Sequence, residues 1–533
     1  MKENPVKNPK RSTLSLIDKW VVLPVAVVLI PFIIYGFVEP ESFAKAASAV
    51  FDFSVENFGA ILLLGPFFLV VFCVGMMFTK WGNIRIGGEN AKPEMSRFSW
   101  FSIALTTCIG IGLVYYGTYE PLNFVVNPPA FLGIEGSSPA AVESWGYVFM
   151  HWLITPYSLY TAGGLCLTMM VYHARRKGKY SSGMYPLFGK RVDGRLGSVI
   201  DAFVLLVTFG GLCASIGVAA LQLTGGTGYV FGKDFSNKTA YLLVILLVTA
   251  LCILTTSTGL KKGMMYLAKI NVVLFFALLL GAFLLGHTVF QMDSMTNALG
   301  YYLDNFLKIS LNTEPGYQTG WVGEWTVFFN AWYLVCTPVF GIFLVKLAKG
   351  RTIREFIAVN LIGPSIFIFL WFGIFGGEAI YIQTNGIADL GAILQEKGAE
   401  VANFALAEYL PLAGFFKIGG LIAVFLSFAT CVQSQILAIS DSSTVNGAEE
   451  SSPVKLRIFW GIIAGAFGCA VLLAGGYDSL QTVLVALGPI ALILMLLSAA
   501  GFIKSLVQRE KYDLVLKEET AAKIVKAKDK SEI

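Results

Sequence analysis

Apolar runs of about twenty residues, separated by short polar clusters, recur along the whole chain. A helix needs about 20 apolar residues to cross ~30 Å of hydrocarbon. That ruler selects twelve segments: 20–38, 57–79, 98–118, 144–172, 199–222, 239–258, 270–290, 325–345, 356–382, 412–440, 457–476 and 480–503. The pattern predicts an all-α, polytopic membrane protein with 12 transmembrane helices. The first segment is long, contains Pro24 and Pro31, and lacks a small-residue cleavage site, so it reads as a span and not as a removable signal. Residues 295–311 place apolar and aromatic side chains at helical spacing beside polar ones, which predicts an amphipathic helix at the outer interface. An ordinary packed loop helix would give the same pattern. The tail after Lys504 is mixed in charge and reads as a partly helical, solvated segment.

Composition narrows the class. Hydrophobic residues make up 56% and charged residues only 14% of the 533, with a mean hydropathy of +0.70. That is too little charge to cover a water-soluble globule of this size. A net charge of +5, scattered along the chain, gives no nucleic-acid footprint. Lys and Arg are distributed asymmetrically. With the N-terminus inside, the inner segments and C-terminal tail hold 33 of them and the outer segments five. By the tendency of positive charge to stay cytoplasmic, this predicts both termini on the cytoplasmic side of the membrane.

The eight cysteines all fall within apolar stretches without a C-x-x-C spacing, and the three histidines are dispersed. Neither a disulfide framework nor a metal centre follows, so an enzyme is not expected. Glu378 is the main ionisable residue inside a span, and it reads as an acid satisfied near the outer surface; Asp201 and Asp441 lie near span ends.

Three segments carry the candidate chemistry. The third places Gly110 and Gly112 in mid-membrane, after Cys108 and before Tyr115, Tyr116, Gly117 and Glu120-Pro121. Such glycines allow a helix to unwind around a cavity or to pack closely on a neighbour, and the sequence leaves both open. The eighth runs from Trp325-Thr326 through Phe328, Phe329, Asn330, Trp332 and Tyr333 to Cys336 and Pro338, which predicts an interruption in mid-span. Interruptions five segments apart are what an inverted five-helix repeat would produce. In the fourth, Trp152, Tyr157 and Tyr160 fall at i, i+5 and i+8, roughly one face. Aromatic faces suit a cation that cannot donate hydrogen bonds, although membrane aromatics also serve as plain packing.

Together these segments resemble the betaine/choline/carnitine transporter family. The third resembles its G-M-G-I-G-L motif followed by E-P-L, matched at Gly110-Ile111-Gly112-Leu113, Gly117 and Glu120-Pro121-Leu122. The fourth resembles H-W-G-x-x-x-W-x-x-Y, matched at His151, Trp152 and Tyr160. The eighth resembles W-T-x-F-[FY]-W-A-W-W, matched at Trp325-Thr326, Phe328-Phe329 and Ala331-Trp332, with the following Gly350-Arg351-Thr352-Ile353-Arg354-Glu355-Phe356.

The resemblance implies a five-plus-five inverted-repeat core. Residues 98–290 would form the first repeat (helices 3–7) and 325–503 the second (helices 8–12). The parts outside it would be an N-tail (1–19), two extra helices (20–97), an outer segment (291–324) and a C-tail (504–533). It implies a homotrimer that carries a small zwitterionic or cationic solute by alternating access, without a cofactor. The implied substrate site gathers Trp152, Tyr157, Tyr160, Trp332, Tyr333 and Cys336 with Cys108, Gly110 and Gly112. The implied sodium site gathers Thr106, Ile109, Thr430 and Cys431. The chain departs from the family where a motif glycine is Cys108, where tryptophans are Tyr157, Asn330, Tyr333 and Cys336, and where a serine is Cys431. The expectation is a sodium-coupled symporter of a betaine-like compound. A sodium-independent substrate:product exchanger is the alternative, and a transport-dead sensor a third reading.

Overall fold

The computed structural model describes residues 13–108, 110–132, 138–233, 235, 237–257, 261–315, 319–447 and 452–531. Among these there is no β-strand, and nine helices are long and apolar enough to cross a membrane. α1 (Lys19–Val38) and α2 (Pro40–Phe78) form an N-terminal hairpin, with Pro40 in the first turn of α2, where a missing N–H costs nothing. At 1.5 Å per residue the 39 residues of α2 span about 58 Å, well beyond a bilayer. The stretch 39–56, between the first two predicted spans, is therefore largely the protruding start of this helix.

The fourth predicted span is built from two helices, and the third is described on either side of Ile109. α3 (Arg97–Cys108) and α4 (Gly110–Val126) flank position 109. α5 (Ser138–Trp152) and α6 (Ile154–Thr168) meet at Leu153, whose backbone (φ −89°, ψ −103°) leaves the helical region. Pro156 explains the break, because it cannot donate to the carbonyl of Trp152 and fits only in the first turn of a new helix.

Next come α7 (Arg195–Phe231), α8 (Lys238–Ser257), α9 (Lys261–Leu285), α10 (Thr288–Ser310), α11 (Gly323–Leu347), α12 (Ile353–Thr384) and α13 (Ala413–Ser442). α14 (Val454–Val507) contains both of the last two predicted spans, bent at Gly475 and Gly476. Gly476 has a φ of +62°, a conformation that glycine adopts freely. α15 (Leu514–Ser531) closes the chain. The middle of α7 and nearly all of α11 are buried, whereas α8 exposes Leu243, Leu246, Leu247 and Leu254.

Two expectations need correction. α11 runs unbroken through Pro338; its departure from α geometry is instead a π-helical turn over Gly323–Val327. Pro338 withholds a donor from Leu334, and next to it the Thr337 hydroxyl donates to the Tyr333 carbonyl at 2.7 Å, so the helix adapts without breaking. The C-terminal tail, expected to be solvated, is docked. Arg175 pairs in bidentate fashion with Glu518 (2.8 and 2.6 Å), Glu519 accepts the Glu89 amide (2.6 Å), and Lys523 reaches Glu89 (2.9 Å). Beneath them His173 Nδ1 lies 3.0 Å from Asp513.

The predicted amphipathic segment is α10, which begins seven residues earlier than expected. Its buried face (Gln291, Met295, Ala298, Tyr302) packs on α5 and α12, and Leu303 and Leu307 stay exposed. Glu378 is satisfied at this joint, accepting from the His287 amide (2.8 Å) and from Gln291 (2.7 Å). Asp201 accepts from the amide and hydroxyl of Ser181, and Asp441 from Lys346 and the Ser452 amide, so both acids are structural ties. Three isolated bridges, Ile17–Thr444, Arg85–Thr352 and Gly178–Gly447, join segments that the charge count assigns to the inner side.

Candidate functional site

The three motif segments meet at one carboxylate. Glu120, one residue before Pro121 in α4, is fully buried. One of its oxygens lies 2.6 Å from His151 Nδ1, and the other accepts the Trp152 indole N–H at 2.5 Å. The far nitrogen of His151 lies 3.0 Å from the Thr326 hydroxyl in the π-helical turn of α11. Every polar atom in this group is spoken for, as burial in a low-dielectric interior demands. The sequence marked these residues as motif positions but did not mark Glu120 as the group that binds them together.

Aromatic rings extend from this node. Trp152 packs against Tyr116 (5.2 Å between centroids), Phe329 (5.2 Å), Phe372 (5.0 Å) and Tyr333 (6.1 Å). Phe329 also contacts Tyr333 (5.9 Å) and Trp332 (6.4 Å), both nearly parallel to it. Tyr333 continues to Tyr160 (6.1 Å), and Tyr160 to Tyr157 (6.4 Å). The predicted Trp152, Tyr157, Tyr160, Trp332 and Tyr333 thus form one buried cluster. Tyr116, Phe329 and Phe372 belong to it as well, and nothing in the spacing separated them from ordinary apolar residues.

Beyond the cluster, the bend at Gly475–Gly476 aims Tyr477 at Tyr116, and the two hydroxyls share a hydrogen bond. On the far side of Tyr477 lies a cavity of about 550 Å³ lined by Asp52, Tyr119, Glu324, Trp325 and Asp478. Gly117, a motif glycine, is a packing position. Its missing Cβ admits the indole of Trp371, which donates to the Leu113 carbonyl at 2.8 Å. α6 and α11 cross backbone on backbone, because a Cβ on Gly341 would lie 2.6 Å from the carbonyl carbon of Gly163.

The departures from the family motif have distinct fates. Asn330 points away from the rings and donates to the Leu62 carbonyl of α2 at 3.0 Å, fastening α11 to the N-terminal hairpin. Cys336 is buried with its sulfur over Gly211 of α7, in the space that glycine leaves open. It therefore adds no π face. Gly112 is buried in α4, whereas the side-chain surroundings of Thr106, Cys108 and Gly110, and Ile109 as a whole, lie outside the described residues.

At the implied ion position, the Thr430 hydroxyl donates within α13 to Leu426 (2.9 Å) and Ser427 (3.1 Å), which leaves its lone pairs free to ligate. The Cys431 sulfur accepts the Gln435 amide at 3.1 Å. Nearby, Asn271 donates to Ser427 at 2.8 Å. Among the described residues no cluster of His, Cys, Asp and Glu suits a transition metal. Neutral oxygens such as Thr430 suit only a hard cation.

Comparison with known proteins shows the family. Residues 20–511 match the betaine/carnitine/choline family of transporters. The chain is 31% identical over 485 residues to the glycine betaine transporter OpuD of Bacillus subtilis (strain 168), covering 90% of this chain and 92% of OpuD. It is 33% identical over 466 residues to the osmo-independent choline transporter BetT1 of Acinetobacter baylyi, covering 85% and 88%. It is 31% identical over 493 residues to the ectoine/hydroxyectoine transporter of Virgibacillus pantothenticus, covering 91% and 96%. The chain belongs to the betaine/carnitine/choline transporter family. It is a multi-pass membrane transporter, not an enzyme.

Proposed function

We propose that this protein is a secondary active transporter that takes up a quaternary-ammonium or related zwitterionic solute by alternating access. Twelve spans with five-plus-five inverted repeats, assembled as a homotrimer in a bacterial inner membrane with both termini inside, would provide the framework. The observation that carries the reading is the buried ring cluster of Trp152, Phe329, Trp332, Tyr333 and Tyr160, which offers π faces to a cation with no hydrogens to donate. The relatives named for glycine betaine, choline and ectoine point to the same solute class.

Sodium coupling is the first choice for the driving force, with Thr430 as the hydroxyl ligand. Exchange without sodium is the second reading. It is favoured by Cys431, a soft sulfur already engaged by Gln435 where a hard oxygen would serve sodium better. Uptake of radiolabelled glycine betaine, carnitine and choline into proteoliposomes tests both readings. Uptake that follows an inward sodium gradient supports symport. Uptake that ignores sodium and rises with preloaded solute supports exchange, and no flux of any of them would reject the transport reading.

A further inference from the structure

We infer that the segment 399–407, between α12 and α13, is an outer plug that leaves its seat when the solute path opens outward, and that Glu400 sets how firmly it sits. The inference rests on the transport reading and adds to it a control by external pH.

The charge count assigns residues 383–411 to the outer side. Within them every residue of the short helix Ala402–Ala407 is buried, although the stretch lies between spans. Its contacts reach three long helices. The Thr118 hydroxyl of α4 donates to Asn403 at 3.4 Å. Glu400 and the Phe404 ring fill the spaces where Gly225 and Gly226 of α7 lack a Cβ, and Asn403 and Phe404 also meet Gly420 of α13. α4 carries Tyr116, a ring of the cluster, and Tyr119, which lines the outer cavity. A path from that cavity to the rings needs α4 to part from its neighbours, and the wedge spans this seam. A cleft of about 200 Å³ between α4 and the residues just before the plug leaves it room to shift. One turn earlier on α7, Gln222 is buried with neither end of its carboxamide bonded to a described residue, so polar ties do not seal the seam.

Glu400 is the group that titrates at this seat. The phenols of Tyr115 and Tyr119 face it from α4. The cations on flanking elements are engaged elsewhere: Lys397 lies over the Tyr229 ring of α7, and Lys417 of α13 pairs with Glu408 at 2.6 Å. Glu396 is exposed. Burial raises the Glu400 pKa above the ordinary glutamate value, opposed only by a hydrogen bond from its own amide. A neutral carboxyl sits there without penalty, whereas an ionised one must give up its water. The plug is therefore held most firmly at acid pH and loosens as external pH rises through the raised value.

The test places a cysteine at Ala405, buried in the middle of the plug, with and without Glu400→Gln, in right-side-out proteoliposomes. A membrane-impermeant thiol reagent is added outside at pH 5 to 8, and labelling is read above that of the protein without the added cysteine. At each pH the ratio of the two rates cancels the reagent's own pH dependence. Glu400→Gln stands in for the neutral acid, so labelling at pH 8 should be at least about threefold slower with it, and the ratio should approach one at pH 5. The ratio of wild-type to Glu400→Gln uptake of glycine betaine or choline should follow the same curve. A labelling ratio that is the same at pH 5 and pH 8 overturns the inference. A labelling ratio that moves while the uptake ratio stays fixed also overturns it, because the plug would then not gate the path. Labelling that responds as expected in vesicles that carry neither solute upholds the plug's movement and overturns the transport reading.

Discussion

The carboxylate of Glu120 accepts the indole N–H of Trp152 at 2.5 Å while its other oxygen meets His151, which in turn reaches Thr326. One buried side chain thereby sets the orientation of a ring in the cluster and the spacing of α4, α5 and α11. Glu120→Ala would leave two buried donors without an acceptor and is expected to lower kcat/KM for uptake by roughly tenfold to a hundredfold. Glu120→Gln keeps an acceptor for Trp152 and should retain more activity than Glu120→Ala. Equal activity of the two variants would show that hydrogen bonding at this position is irrelevant.

Cys431→Ser replaces a soft sulfur with a hard oxygen beside Thr430 and preserves the contact with Gln435. If sodium drives transport, the sodium concentration for half-maximal uptake should fall several-fold in this variant. No change in sodium dependence, with uptake still stimulated by preloading, would favour the exchange reading.

Gly341→Ala should be among the most damaging single-methyl additions in the protein. The added carbon would press on the backbone of Gly163, which cannot turn aside as a side chain can. Overpacking of this kind costs about 1–3 kcal/mol or more. A lower melting temperature together with lost uptake is expected. Gly300→Ala, where a Cβ meets nothing within 4 Å, is the control and should behave as wild type.

The docked tail has a definite pH signature. Burial alone would raise the pKa of Asp513, but His173, the Leu516 amide and Arg509 outweigh it and hold the carboxyl down at about 2. A folded-state pKa below the unfolded value of about 3.9 means that the stabilisation is complete above pH ~4 and is lost as pH falls toward 2. A spin label at Ala521 should therefore show the same restricted mobility from pH 8 to pH 5. Asp513→Asn should free the label at pH 7. A mobility change between pH 8 and 5 in the wild type would place control of docking on another group.

Much of this architecture is legible in the sequence, because hydrophobic length is a one-dimensional signal. The described residues of the twelve predicted segments lie on helix except at Leu153, at Gly286–His287 and at a few segment ends, and Trp152, Tyr157, Tyr160, Trp332 and Tyr333 come together in one cluster. What the sequence hides is direction. Asn330 and Tyr333 are three residues apart on α11, yet one turns to the Leu62 carbonyl and the other into the rings. Pro338 signals a break that a neighbouring threonine makes unnecessary, while the real break falls at Leu153, three residues before Pro156. The tail looks solvated by composition, since ion pairs with residues hundreds of positions away leave no local trace.

The crossing of α6 and α11 at Gly163 and Gly341 bears on how such a machine can move. The two backbones meet directly there, with the Thr337 methyl beside Gly163. A displacement of one is handed to the other undiminished, as across a rivet. Tyr160 on α6 and Tyr333 on α11 are tied across this joint. In the proposed alternating-access cycle, the hinges would lie at joints other than this one.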